Sequence, residues 1–133
     1  MEFLQPPGWV RPRGYSNGIV ARGRTVCVSG MIGWDAQAQF HTSDFAGQTR
    51  QALQNIVEVL AEAGARPEHI VRMTWYVLDK KEYVAAYPEI GVAYREIIGR
   101  HFPTMTAVQV AGLIEDQARV EIEVTAIVPD QDA

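Results

Sequence analysis

From Ala118 to Val128 the chain reads ARVEIEVTAIV, with an apolar side chain at every second position. A period of two is the pleat of a β-strand that keeps one face on a core and the other toward solvent. Whatever fold contains this segment must therefore cover one side of a sheet. The run Thr104–Val110, TMTAVQV, is a second β-branched stretch, and Ile70–Leu78, IVRMTWYVL, is apolar and aromatic enough for a central strand. In that strand Val71, Met73, Trp75 and Val77 fall on one side, with Arg72 and Thr74 on the other.

The cover is supplied by helices. After Thr42 or Ser43, either of which can cap, Leu53, Ile56, Val57 and Leu60 recur at helical spacing until Gly64 and Pro67 end the pattern. Asp79, with Glu82 three residues on, caps a short helical turn. Pro88 then interrupts the pattern, and a second helix is expected from about Pro88 to Ile98, ended by Gly99. Gly18–Gly30, GIVARGRTVCVSG, reads as a hairpin turning at Arg22-Gly23-Arg24. The order ββαβαββ predicts an α+β fold with helices on one sheet face.

At 133 residues, with 47% hydrophobic and 21% charged composition, one domain spanning 1–133 is expected. Pro6, Pro7 and Pro12 around Trp9 suggest an extended arm over 1–13, and 129–133 reads as a frayed tail. A β-rich chain of this size is expected to complete its core by self-association. The opening residues lack an apolar signal region and no run approaches a membrane span, so a cytoplasmic protein without membrane contact is the expectation. Cys27, the single cysteine, lies between Val26 and Val28 and reads as a small buried hydrophobe rather than a nucleophile. The three histidines are scattered without carboxylates at ligand spacing, and no glycine-rich loop opens a helix, so neither a metal nor an organic cofactor is expected. A net charge of −4 with one basic cluster, Arg11, Arg13, Arg22 and Arg24, argues against nucleic acid as a partner. That cluster reads as a solvated face.

Three segments together carry a resemblance. The Val28-Ser29-Gly30 strand end, the helix QTRQALQNIVEVLAEAG from Gln48 to Gly64, and the Phe102–Ala126 segment with FP followed by VEIEVTA resemble the Rid (YjgF, RidA-like) family of reactive intermediate deaminases. The resemblance runs over nearly the whole chain. It implies a chorismate-mutase-like fold with a mixed sheet, two helices on one face and Phe102–Ala126 as a closing hairpin. It also implies a homotrimer with three interface pockets for a small-molecule metabolite.

Residue by residue, the resemblance makes Tyr15 a pocket wall and hydroxyl donor, and makes Ser29-Gly30 the strand end whose backbone N–H meets a substrate carboxylate. Glu121 matches the acidic residue that holds the attacking water. On pattern alone Glu121 is a solvent-facing charge, Tyr15 a cover for the first strand and Gly30 a strand terminator. The family's substrates are small imines and enamines with a carboxylate beside the reactive carbon, and the second residue after Phe-Pro is usually an arginine that grips it. Here that residue is Met105, and Ala107 stands where many members carry a small polar or thiol group. Gly91 likewise matches a position that is polar in some members.

Losing one partner of a buried charge pair typically costs about 2–5 kcal/mol, so an unaltered specificity is not expected. Arg72 and Arg13 are candidate replacements for the lost cation. The expected function is imine or enamine hydrolysis with shifted specificity, Glu121 and Tyr15 being catalytic and Ser29, Gly30, Met105 and Ala107 binding substrate. A silent metabolite-binding trimer is the alternative, and RNA cleavage is disfavoured by the acidic balance.

Overall fold

The computed structural model describes residues 1–130. Its elements are β1 (Glu2–Leu4), β2 (Gly18–Val20), β3 (Arg24–Met31), α1 (Phe45–Glu62), β4 (Ile70–Val77), α2 (Lys80–Ala85), α3 (Tyr87–Ile97), β5 (Thr104–Gln109) and β6 (Val120–Val128). The main sheet has the order β3-β6-β4-β5, antiparallel except for the parallel β4–β5 pair. This is an α+β fold with a mixed sheet and two main helices.

The alternation in β6 sorts the sheet as expected. Val120, Ile122, Val124 and Ala126 are buried and join Leu53, Ile56 and Leu60 of α1 in one core, together with Met73, Trp75 and Val77 of β4. A β-bulge between Ile70 and Arg72 puts Ile70, rather than Val71, into that core. The other sheet face carries Arg72, Thr74, Tyr76, Glu121 and Glu123, with no helix over it among the described residues.

Four local expectations are corrected. The Gly18–Gly30 hairpin does not form, because β2 pairs with β1 of the N-terminal arm, whose Leu4 side chain lies against Gly18, while β3 pairs with β6 alone. The closing hairpin is also absent: β4 separates β5 from β6, so the loop after Gln109 crosses a strand. The cap of α1 is Asp44, whose Oδ2 accepts from Gly47 N at 2.9 Å, and Thr42 Oγ1 instead accepts from Asp44 N. Cys27 is exposed, since the parity that buries Val28 turns its neighbour to the open face.

The helices from Asp79 onward follow the sequence closely. Asp79 accepts from Lys81 N and starts α2, and Pro88 sits in the first turn of α3. Trp9 remains 63% exposed on the arm. The expected frayed tail begins at Pro129 without regular structure, and residues 131–133 lie outside the described part. No helix among the described residues is long and apolar enough to cross a membrane.

Candidate functional site

Tyr15 is placed by its neighbour. Ser16 N donates to Pro103 O at 3.0 Å and Ser16 Oγ donates to Phe102 O at 2.5 Å, and Ser16 bridges Thr104 in parallel fashion. These bonds fasten the Gly14–Gly18 segment along the start of β5, the edge strand of the sheet. On β5 the register sets Met105 beside Met73 and Ala107 beside Trp75, so both share the helix-covered face. Tyr15, Met105 and Ala107 therefore line one cleft, of about 760 Å³. That volume suits a small metabolite.

The opposite wall comes from α2 and α3. Tyr87, Ile90, Gly91, Tyr94 and Arg95 fall on one helical face by their spacing and all line the cleft, joined by Tyr83 of α2. Tyr94 stacks on Phe102 with ring centroids 5.7 Å apart and donates its hydroxyl to His101 O at 2.6 Å. Burial pushes the Tyr94 phenol up, and burial first, then the neighbouring Tyr87, pushes that of Tyr83 up to about 12. Both phenols stay protonated at neutral pH. Trp75, only 2% exposed, forms part of the floor, and its Nε1–H has no hydrogen-bond partner among the described residues. Arg13, Lys80 and Arg95 also line it, and among the described residues no carboxylate does.

Glu121 lies elsewhere. It is the cross-strand partner of Tyr76, on the sheet face away from the helices and therefore opposite to Met105. The Ser29-Gly30 pair is beside it, because a bulge between Val28 and Met31 inserts one extra residue into β3 at this point. A Cβ added at Gly30 would come within 2.8 Å of Glu121 Cγ, Cδ and Oε2, so the glycine is what lets the carboxylate lie against the β3 backbone. Tyr76 donates to Glu123 Oε1 at 2.7 Å, and that bond to a carboxylate is the main cause holding its phenol above the usual range. Arg72 stands on this same open face, near Thr74, Glu123 and Cys27.

The residues expected at the site thus form two groups on opposite faces. One is Tyr15, Met105 and Ala107 in the cleft, the other Ser29, Gly30 and Glu121 on the open face. Within a single chain they do not meet. As candidates to replace the missing guanidinium, Arg13 lines the Met105 cleft, whereas Arg72, by its parity on β4, stands on the opposite sheet face of the same chain. Arg13 is accordingly more than part of a solvated basic face. Tyr83, Tyr87, Arg95 and Lys80 join the cleft only in three dimensions, although positions 83, 87, 91 and 95 follow each other at intervals of four. Among the described residues no three His, Cys, Asp or Glu side chains gather as a metal site would need.

Residues 10–128 match the sequence model of a family described as Endoribonuclease L-PSP. The human 2-iminobutanoate/2-iminopropanoate deaminase is 32% identical over 122 residues, covering 91% of this chain and 83% of that protein. In three dimensions the chain is similar to the Rid-family protein YyfB from Yersinia pestis, with a TM-score of 0.82, 28% identity and coverage of 96% and 98% of the two chains. It is also similar to Escherichia coli TdcF with bound serine, with a TM-score of 0.67, 28% identity and coverage of 96% and 99%.

Proposed function

The chain belongs to the Endoribonuclease L-PSP family, the YjgF/Rid family, and from that premise we propose that it is a RidA-like deaminase acting on small imines or enamines of shifted specificity. The observation that carries this reading is the contact between Glu121 and Gly30, which holds a carboxylate over a bulged strand end with exposed backbone. A carboxylate there can orient a water and accept its proton as the oxygen attacks the C=N carbon. The tetrahedral adduct then collapses to a carbonyl compound, and its nitrogen leaves as ammonia after protonation. An enamine enters the same course as its imine tautomer.

The two groups of residues belong to one site if copies of the chain associate so that the open face of one supplies Glu121, Ser29 and Gly30 to the cleft of the next. A cyclic homotrimer does this with three equal sites. Tyr15 then offers its hydroxyl from the cleft side, and Met105 with Ala107 contacts an apolar part of the substrate. The reaction requires no metal or organic cofactor. The acidic balance of the chain argues against RNA cleavage.

The test is a competition assay in which an amino-acid oxidase generates imines while semicarbazide traps them. Wild type is expected to reduce trappable imine and Glu121→Gln to lose most of that effect. Equal turnover by the two would remove the water-positioning role. Met105 favours one other reading, a binding trimer without turnover: stabilisation by metabolites that are never consumed, with imine loss absent in wild type, is its signature.

A further inference from the structure

The chain carries a net charge of −4, yet among the described residues the Tyr15 cleft is lined by three cations and no carboxylate. Among the described residues, Arg50, Arg66 and Arg119 each have an acidic partner within bonding distance, whereas Arg13, Lys80 and Arg95 have none. Arg95 is the best placed of these. It projects from the last turn of α3, and its Nη1 comes back alongside Gly91, where an added Cβ would be in ordinary contact at 3.8 Å. With glycine at 91 no side chain of that residue stands against the guanidinium, and Arg95 lines the cleft.

Between this cationic side and the Met105–Ala107 floor, the cleft is aromatic. Tyr87 meets Tyr83 edge-on with centroids 5.2 Å apart, Tyr83 leans on Trp75 at 5.9 Å, and Phe102 and Tyr94 stack at the far end. Flat apolar groups pack favourably against such walls. A guanidinium grips a carboxylate bidentately, and no neighbouring acid opposes it here.

We propose that Arg95, assisted by Arg13 and Lys80, determines specificity by holding the carboxylate of a substrate whose body is an aromatic or similarly flat apolar group. The anion sits at the α3 side of the cleft, and the ring lies between the tyrosines and Met105. This rests on the deaminase reading for the word substrate, but its ligand class can be tested by binding alone. The consequence for chemistry is a carboxylate held by a helix instead of by the β5 floor.

The experiment is calorimetric binding of phenylacetate, its neutral analogue phenylacetamide, and acetate. Wild type is expected to bind phenylacetate at least about tenfold more tightly than either of the others. Arg95→Gln, a change at an exposed side chain, should bring phenylacetate down to the level of the amide while leaving the amide unchanged, and Tyr87→Ala should weaken both. Equal binding of acid and amide by wild type, retention of the preference in Arg95→Gln, or failure of both aromatic probes to bind would each overturn the proposal. Because no turnover is read, a protein that binds as expected but leaves imines untouched would keep this inference and lose the deaminase reading.

Discussion

Glu121 lies so close to Gly30 that no side chain fits between them: a Cβ at position 30 would stand 2.8 Å from Cγ, Cδ and Oε2 of the glutamate. Gly30→Ala must therefore displace the carboxylate. Glu121 is only half-buried and able to swing outward, so the change in stability is expected to stay within about 1–2 kcal/mol, while imine turnover falls nearly as far as in Glu121→Gln. Thermal unfolding and the trapping assay, run on the same preparation, separate the two effects.

Met105→Arg places a guanidinium beside Tyr15 at the edge of the cleft. For imines with an α-carboxylate, the new charge pair is expected to raise turnover at low substrate by about tenfold or more, taking ~1.4 kcal/mol as the least a well-formed pair contributes. For uncharged imines no gain is expected. The comparison needs the two substrate types side by side with one enzyme concentration.

Gln48 ties the helix layer to the segment that leads into β6. It is fully buried, its Nε2 donates to Thr42 O and Gln117 O at 3.1 and 2.9 Å, and its Oε1 accepts from Arg119 N at 2.8 Å. Gln48→Leu leaves three backbone groups without their partner, at about 1–3 kcal/mol for each that stays dry. Denaturant unfolding should show a loss of at least about 1 kcal/mol, above that of an exposed substitution such as Arg95→Gln.

Tyr83 makes the protein sensitive to alkali. Its phenol ionises near 10.0 when unfolded and is pushed up to about 12 in the fold, chiefly by burial. The folded pKa is the higher one, so the contribution to stability is fully present below pH 10 and is lost as pH rises through the folded value. Melting temperature is expected to decline between about pH 10 and 12, and the decline should be shallower in Tyr83→Phe. Tyr94, shifted in the same direction, accounts for part of what remains.

The elements that a local pattern can specify were readable from the sequence. The alternation of Val120 to Val128, the spacing of Leu53, Ile56 and Leu60, and the Asp79 and Pro88 signals each fix one element within a residue or two. Pairing is a different matter. Gly18–Val20 and Arg24–Met31 look like two arms of a hairpin, but Leu4 competes for the first arm and β6 takes the second, and nothing local distinguishes those outcomes. The same holds for β5 and β6, whose separation by β4 depends on long-range register.

Parity was legible as well. Glu121 alternates with core residues of β6, and Met105 is two positions from Ala107 on the edge strand. Which of those parities faces the helices is settled only by the register with β4, where Met73 and Trp75 are buried. Positions 83, 87, 91 and 95 recur at intervals of four in the sequence, but that they share a cleft with Tyr15 is a tertiary fact.

The most direct test of the account is complementation between two defective variants, Tyr15→Phe and Glu121→Gln, unfolded and refolded separately and as an equal mixture. If each site takes Tyr15 from one copy and Glu121 from another, mixed assemblies regain up to about a quarter of wild-type imine turnover, since one pairing in four joins the two intact residues. A mixture no more active than the separately refolded variants would contradict a site shared between copies.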